Sequence, residues 1–158
     1  MRDLFIKTLI ELAEKDDKIM LIVGDVGFSF IEEFKKKFPK QFLNCGVMEQ
    51  SMMGISVGLA QQGMKPYVYT MSNFILLRPY EQVRNDICYG NVNVKLLGVK
   101  GSEAYRFLGM SHNMALGEEQ KLTCDLPNLS TYFNLEKDSG REVIINEYNR
   151  VGPAYFSI

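Results

Sequence analysis

Short apolar runs alternate with longer amphipathic segments through most of this chain, and this alternation constrains the fold more than any other feature. A short continuous apolar run ends at Val23 in residues 18–23, and further short, mostly apolar segments occupy residues 66–70, 93–99 and 154–158. Runs of this kind are typical of strands covered on both faces. Because strands that alternate with helices form parallel sheets with right-handed crossovers, the sequence predicts an α/β fold with a three-layer, doubly wound, mostly parallel sheet.

The predicted elements fill the chain, with a polar loop expected at 100–113. The predicted strands are residues 18–23, 41–44, 66–70, 93–99, 129–132 and 154–158. The predicted helices are residues 2–15, 30–37, 48–63, 74–89, 114–122 and 135–149, the last being either one helix or two short ones. Ser29 is predicted to cap the second helix, and Pro79 to kink the fourth. Since no repeat or linker divides the chain, residues 1–158 are expected to form a single domain.

Charge and composition exclude several classes of partner. The net charge is −1 without a basic face or tail, so neither a nucleic acid nor a membrane surface is an expected partner. No apolar run approaches the length of a membrane span, and the N-terminus has no signal-peptide pattern. Cys45, Cys88 and Cys124 are widely spaced, which predicts buried free thiols in a cytoplasmic protein. With a single histidine and no CxxC pair, no metal site is predicted.

Two side chains are candidates for function. Glu49 lies in the first turn of a helix whose next residues are small or apolar on nearly every face, which predicts burial on more than one side. Its carboxylate is either a solvated charge favoured by the helix dipole or a buried functional acid. His112 lies in a polar loop, where it is either a structural or a functional histidine. Because ligands bind beyond the carboxyl ends of parallel strands, Asp25, Glu49 and His112 are expected to share one rim.

Common nucleotide and hydrolase motifs are missing from the sequence. It contains no GxGxxG, GxxxxGK[ST] or GxSxG segment. These patterns accompany dinucleotide binding, nucleoside-triphosphate binding and the hydrolase nucleophile elbow, respectively. The sequence therefore disfavours all three functions.

A GD turn at 24–25 precedes an NxGxxEQ segment at 44–50, and a GxSH loop follows at 109–112. The run GDVGFSFIEEFKKKFPKQFLNCGVMEQSMMGISVGLAQQGMKPYVYT resembles the pyrimidine-binding domain of transketolase and its thiamine-diphosphate relatives. The run RPYEQVRNDICYGNVNVKLLGV continues the resemblance, as do LPN at 126–128 and GPAY at 152–155. The match covers nearly the whole chain in order, and its specificity is high because no single short pattern carries it.

The resemblance implies roles for particular residues in binding thiamine diphosphate. Glu49 matches the glutamate that family members place against N1′ of the aminopyrimidine, and His112 matches the histidine near the reacting carbon and the donor-sugar hydroxyls. Phe74 is expected to support the pyrimidine ring, with Met71 and Leu77 beside it, although simple core packing is an equal alternative for Phe74. Asp25 matches a rim acid near the cofactor and is alternatively a turn residue that satisfies backbone N–H groups.

The resemblance covers only one third of a transketolase. The GDG motif and the later asparagine that hold the metal ion in the diphosphate-binding domain have no match here. The resemblance therefore implies a split enzyme: this chain contributes the pyrimidine site, and a separate diphosphate-binding subunit holds Mg²⁺. The expected assembly is a heterotetramer that transfers a two-carbon ketol unit between sugars or sugar phosphates. Leu108 replaces an acid of some transketolases and Ser157 replaces a frequent arginine, which leaves the acceptor sugar open.

Two alternatives to this function remain open at the sequence level. One is a subunit of a thiamine-dependent 2-oxoacid decarboxylase or dehydrogenase, because the EQ-containing segment is compatible with that class. The histidine of the GxSH loop favours ketol transfer over it. The other alternative is a non-catalytic scaffold that keeps the fold. The presence of both Glu49 and His112 argues against a scaffold.

Overall fold

Six parallel strands form one sheet across residues 1–101 and 103–158, which the computed structural model describes. The strands are β1 (Ile19–Val23), β2 (Phe42–Asn44), β3 (Lys65–Met71), β4 (Lys95–Val99), β5 (Ser130–Tyr132) and β6 (Ala154–Ser157). Their order in the sheet is β2-β1-β3-β4-β6-β5, and each neighbouring pair is parallel. The chain crosses from β1 outward to β2 and then back to β3, so the order reverses direction beside β1.

Helices cover both faces of this sheet. They are α1 (Arg2–Ala13), α2 (Glu32–Lys37), α3 (Glu49–Gln61), α4 (Ser72–Leu77), α5 (Tyr80–Gln82), α6 (Glu118–Thr123) and α7 (Lys137–Asn149). A π-helical segment, Val83–Tyr89, continues α5, and 3-10 helical turns occupy Pro39–Gln41 and Glu103–Ser111.

The alternation of side chains along the strands builds two hydrophobic cores. In β1, Leu21 and Val23 join the core formed with α1, α2 and α7, whereas Ile22 joins the core formed with α3, α4 and the π-helical segment. Successive residues of a strand point to opposite faces, so a strand that is apolar at every position needs a helix layer on each side. The predicted three-layer parallel α/β fold is confirmed.

The predicted interruption of helix 74–89 at Pro79 is confirmed: α4 ends at Leu77 and α5 begins at Tyr80, because proline has no N–H for the helix ladder. Two other local predictions are wrong. Ser29 is not the cap of α2: its φ is 71°, and its backbone N–H donates to Glu32 Oε1 at 2.8 Å. The predicted loop 100–113 contains a 3-10 helical run interrupted at Gly109, which has a φ of 56°.

The face of α3 that carries Ser51, Gly54 and Gly58 is exposed to solvent. The prediction that this helix is buried on more than one side is therefore wrong for the chain by itself. Met52 and Met53 pack into the core, and the opposite face is made of small residues, with no atom within 4 Å of a Cβ built on either glycine. The pattern of small and apolar residues along α3 suggested burial, but the small residues of this face are exposed to solvent in the described chain.

The three cysteines are free thiols, but they are not equally buried. Cys88 is buried in the core, and its burial raises the pKa of the thiol to about 12. Cys45 is half-buried, and partial burial likewise raises the pKa of its thiol. Cys124 is exposed at the end of α6, so the predicted burial is wrong for it. Among the described residues, no helix combines the length and the apolar character that a bilayer span requires.

Two networks of charged side chains lie where β3 and β4 begin. In the first, Asp16 accepts hydrogen bonds from Lys65 Nζ at 2.7 Å and from the Tyr148 hydroxyl at 2.9 Å. Burial by itself would raise the pKa of the Asp16 carboxyl, but these bonds and one from the Lys18 amide outweigh it and hold that pKa below its ordinary value. The network ties the start of β3 to the α1–β1 turn and to α7.

The second network surrounds Lys95, the first residue of β4. Its ammonium group lies 3.3 Å from Glu147 Oε2 and donates to the Gly152 carbonyl at 2.7 Å. Burial lowers the pKa of Lys95 to about 8, against the opposing attraction of Glu147. Glu147 also accepts bonds from Arg150 Nε at 2.6 Å and from the Tyr132 hydroxyl at 2.7 Å. Each buried charge in this network thus has at least one partner.

Candidate active site at the carboxyl edge of the sheet

One asparagine joins the turns that follow β1 and β2. Asn44 is paired in register with Val23, so β2 ends beside the turn that follows β1. Asn44 Oδ1 accepts from the backbone N–H of Asp25 at 3.2 Å and of Gly46 at 2.9 Å, and its amide donates to the Asp25 carboxylate at 3.0 Å. Asp25 therefore holds this turn, with its backbone in the left-handed region at a φ of 55°.

Glu49 is the first residue of α3 and is only 4% exposed. Its Oε1 accepts a hydrogen bond from Arg78 Nη1 at 2.8 Å, which forms an ion pair across the end of α4. The positive end of the α3 dipole adds to the stabilisation of the carboxylate at this position. Glu49 is therefore buried and not a solvated charge, and its role in function stays a prediction. Its cationic partner, Arg78, is a residue that the sequence analysis did not single out.

An aromatic cluster extends from this ion pair toward the His112 loop. The guanidinium carbon of Arg78 lies 3.6 Å from the centroid of the Phe74 ring, which is 7% exposed. His112 packs against Phe74 with the ring centroids 5.0 Å apart and the planes at 72°. Tyr105 stacks on His112 at 6.0 Å, nearly parallel. Arg78 thus contacts both Glu49 and Phe74, and Phe74 in turn contacts His112.

Hydrogen bonds hold the His112 ring in one orientation. The Asn73 side-chain amide donates to the Ser111 carbonyl, which ties the loop to α4. The Ser111 hydroxyl donates to the Leu108 carbonyl at 2.7 Å and lies 2.9 Å from His112 Nδ1. Since a hydroxyl has one proton, Ser111 Oγ accepts from Nδ1–H, and Nε2 is the ring nitrogen that this bond leaves available.

The remaining predicted site residues occupy other positions on the rim. Met71 ends β3, is buried, and lines a separate cavity of about 230 Å³ together with Tyr105. Leu77 is 48% exposed at the end of α4. Asp25 lines a further cavity on the α2 side of the β1 turn. Contact of Met71, Leu77 or Asp25 with a cofactor stays a prediction.

An open groove of about 420 Å³ runs past the Glu49–Arg78 ion pair. Its lining comes from the turn before α3, from the first turn of that helix and from the end of α4: Val47, Met48, Glu49, Gln50, Ser51 and Arg78. Within the described residues, no group of three or more His, Cys, Asp or Glu side chains is placed to hold a metal ion.

Arg78 and Tyr105 are the two residues of this cluster that sequence reasoning missed. Arg78 lies four residues after Phe74, and residues at this spacing meet on one helix face. That spacing could have predicted the contact between the Arg78 guanidinium and the Phe74 ring. The pairing of Arg78 with Glu49 joins positions 29 residues apart, so no local spacing reveals it.

A protein-family model described as transketolase, pyrimidine binding domain, matches residues 1–123 of this chain. The chain belongs to this family. Among curated relatives, it is 42% identical over 113 residues to an apulose-4-phosphate transketolase subunit of Phocaeicola vulgatus (strain ATCC 8482), an alignment that covers 71% of this chain and 36% of the relative. It is 26% identical over 159 residues to a 6-deoxy-6-sulfo-D-fructose transketolase subunit of Clostridium sp. (strain MSTE9), covering 100% of this chain and 49% of that one.

Among solved structures, a split-gene transketolase described as an inactive β4 tetramer superposes with a TM-score of 0.85 at 31% identity. The superposition covers 99% of this chain and 49% of the other. The chain spans between about a third and a half of the length of the curated relatives described above. Family membership, which the sequence motifs indicated, is confirmed.

Proposed function

We propose that this chain is the pyrimidine-binding subunit of a split, thiamine-diphosphate-dependent transketolase that transfers a two-carbon ketol unit between sugars or sugar phosphates. The observation that carries the proposal is a carboxylate, Glu49, that is 4% exposed at the start of a helix and lies across a guanidinium from an aromatic face. The two relatives named as transketolase subunits support it. Their names give different sugars, so neither sugar is carried over to this chain.

The residues at this site fit the pyrimidine half of the cofactor. The Arg78 guanidinium is planar, lies over Phe74 and donates to Glu49, and an aminopyrimidine ring can make the same two contacts. When bound, thiamine diphosphate supplies a nucleophilic thiazolium carbon and an electron sink for ketol transfer. In this proposal, Glu49 holds a proton at N1′ of the pyrimidine, and Phe74 offers a stacking surface.

The rim residues take the substrate side of the proposed site. His112 is proposed to meet a hydroxyl of the donor sugar with Nε2, because Ser111 already engages Nδ1. Met71 and Leu77 supply apolar contacts beside the ring, and Asp25 supplies an acid near the cofactor. The Asn44 bonds to Asp25 and Gly46 would keep the Asp25 turn and the turn before Glu49 in a fixed relation.

A separate subunit is proposed to bind the diphosphate and its Mg²⁺. The relatives are named as subunits and are about two to three times longer than their matched region. A Mg²⁺ site rests on carboxylates together with phosphate oxygens. We propose that residues 1–158 act as one domain of a heterotetramer, in carbohydrate metabolism in the cytoplasm, where the free thiols remain reduced.

Reconstitution with a diphosphate-binding transketolase subunit from the same organism tests this function. The protein, its partner, thiamine diphosphate and Mg²⁺ are mixed with panels of ketose donors and aldose acceptors, and with 2-oxoacids in parallel. Turnover is expected only when both subunits are present, with two carbons moved from donor to acceptor. Release of CO₂ from 2-oxoacids without ketol transfer would instead assign a decarboxylase. A folded complex inactive on every substrate would contradict both.

Replacing His112 with alanine is expected to lower kcat/KM for the donor sugar by about 10²-fold, the scale of a positioned acid–base or polar group. The affinity for thiamine diphosphate should stay within about twofold, because His112 is proposed to face the substrate rather than the pyrimidine. Donor kinetics and calorimetric cofactor titration of the assembled complex measure the two effects separately.

Tyr105→Phe is the matched control, since it keeps the ring that stacks on His112 and should behave like the unmodified protein. A large loss of cofactor affinity in the His112 variant, with unchanged donor kinetics, would place His112 outside the substrate site.

A further inference from the structure

Arg78 makes both contacts that the proposed function assigns to the cofactor's pyrimidine ring. Its Nη1 donates to Glu49 Oε1 at 2.8 Å, and its guanidinium carbon lies 3.6 Å from the centroid of Phe74. We propose that Arg78 is a side-chain plug that occupies the pyrimidine position in the free protein and must swing out before the cofactor binds. This inference rests on the proposed function.

The guanidinium and a pyrimidine ring cannot occupy this place together. A distance of 3.6 Å is the thickness of a single stacked layer, so nothing fits between Arg78 and the Phe74 ring. The rest of the Phe74 ring has almost no surface on which a pyrimidine could stack instead. Phe74 is 7% exposed, belongs to the hydrophobic core, and packs against His112. A ring that stacks on Phe74 and bonds to Glu49 therefore has to displace the Arg78 head group.

The surroundings of Arg78 allow its side chain to move while its backbone stays fixed. The side chain is 43% exposed, although the carboxylate that it pairs with is almost fully buried. Its backbone carbonyl accepts a bond from the Gln50 side chain at 3.3 Å, which holds the end of α4 against α3. The groove lined by Val47, Met48 and Ser51 is open beside it and has room for the displaced guanidinium.

An arginine suits position 78 because Glu49 needs a hydrogen-bond donor both before and after the cofactor binds. A buried carboxylate without a partner is strongly unfavourable, so Glu49 needs a compensating group before the cofactor arrives. Arg78 provides one, and N1′ of the pyrimidine replaces it on binding. The apparent cofactor affinity is then reduced by the fraction of molecules in which Arg78 is swung out.

Thiamine, which lacks the diphosphate, is the probe for this plug because it reports on the pyrimidine site. Its affinity for the full protein assembled with its partner is measured by calorimetry for the unmodified protein, Arg78→Ala and Arg78→Met. If about one molecule in ten has Arg78 swung out, both variants should bind thiamine about tenfold more tightly. Arg84→Ala is the matched control: Arg84 lies over Tyr89 at 5.0 Å and bonds to Asn85, and its loss should leave thiamine affinity unchanged.

Salt provides a test that requires no substitution. Salt weakens a partly exposed ion pair, so raising ionic strength should tighten thiamine binding to the unmodified protein and leave binding to Arg78→Ala unchanged or weaker. In addition, the ¹⁵N-labelled Arg78 side-chain NMR signal should shift on thiamine addition. Arg78 variants that stay folded and bind thiamine no better than the unmodified protein, or salt that weakens its binding, would overturn the plug.

The test separates failure of the plug from failure of the proposed function. If Glu49→Gln abolishes thiamine binding while Arg78→Ala leaves it unchanged, the pyrimidine site is supported and the plug is refuted. If the assembled protein and all its variants bind neither thiamine nor thiamine diphosphate, the proposed function is refuted, and the plug is refuted with it.

Discussion

Replacing Glu49 with glutamine is expected to lower turnover of the reconstituted enzyme by about 10²-fold or more, the range of general acid–base groups. The amide keeps the size of the side chain and still accepts the hydrogen bond from Arg78, so folding and assembly should be nearly unchanged. It cannot carry the proton that the carboxylate is proposed to share with N1′. Single-turnover kinetics on the assembled variant, together with circular dichroism, measure the chemical step and the fold separately.

Glu32→Gln is the matched control for this substitution. Glu32 is also a first-turn glutamate, and its Oε1 accepts the Ser29 N–H at 2.8 Å, but it is exposed on α2. The turnover of this variant should equal that of the unmodified enzyme. If Glu49→Gln retains more than about half of the normal rate, the role assigned to Glu49 is wrong. The loss of rate would then be too small for the removal of an acid–base group.

Replacing Glu147 with alanine should reduce the free energy of unfolding by about 3–5 kcal/mol, the cost of breaking a buried charge pair from one side. The variant leaves the Lys95 ammonium group, which is 3% exposed, without its carboxylate. It also removes the acceptor of the Arg150 and Tyr132 bonds. Chemical denaturation of the unmodified protein and of Glu147→Ala under matched conditions measures the difference in the free energy of unfolding.

The effect of this substitution should depend on pH in a defined direction. Burial would raise the pKa of Glu147, but bonds from Arg150 and Tyr132 and the charge of Lys95 outweigh it and hold the pKa below its ordinary value of 4.5. A carboxyl with a lowered folded-state pKa stabilises the protein above its unfolded pKa and loses that contribution as the pH falls through the folded value. The difference in stability should therefore be full at neutral pH and shrink in acid below pH 4.5.

An exposed ion pair supplies the control for Glu147. Glu11 pairs with Arg141 at 2.5 Å, and both side chains are about half exposed. Exposed pairs contribute about 0–1 kcal/mol, so Glu11→Ala should change the free energy of unfolding by no more than that. Equal losses for the two variants would show that the Lys95 network contributes no more than a surface pair.

The features of this fold that follow from periodicity were predictable from the sequence. Runs that are apolar at every position predicted strands with helices on both faces, and the two cores on either side of β1 have this arrangement. Parallel topology then placed the turns after successive strands at one edge. This is why Glu49 and His112, far apart in sequence, were expected on the same rim.

Contacts between particular side chains were not predictable in the same way. The bond between Arg78 and Glu49 depends on how α4 is oriented against α3, which no local spacing encodes. Ser29 has the residue type of a helix cap, yet its left-handed backbone gives it another role. The small residues of α3 suggested burial, but a pattern of small side chains does not say whether the covering surface belongs to the same chain.

The charged networks around Asp16 and Lys95 lie at the amino ends of β3 and β4, whereas Glu49 and His112 lie beyond the carboxyl ends of the strands. Distant, independent substitutions have nearly additive effects on stability. Laboratory evolution could therefore diversify the carboxyl-edge turns to alter the proposed sugar specificity, while the amino edge preserves thermal stability. Substitutions in the Lys95 network should in turn change thermal stability without altering the candidate site.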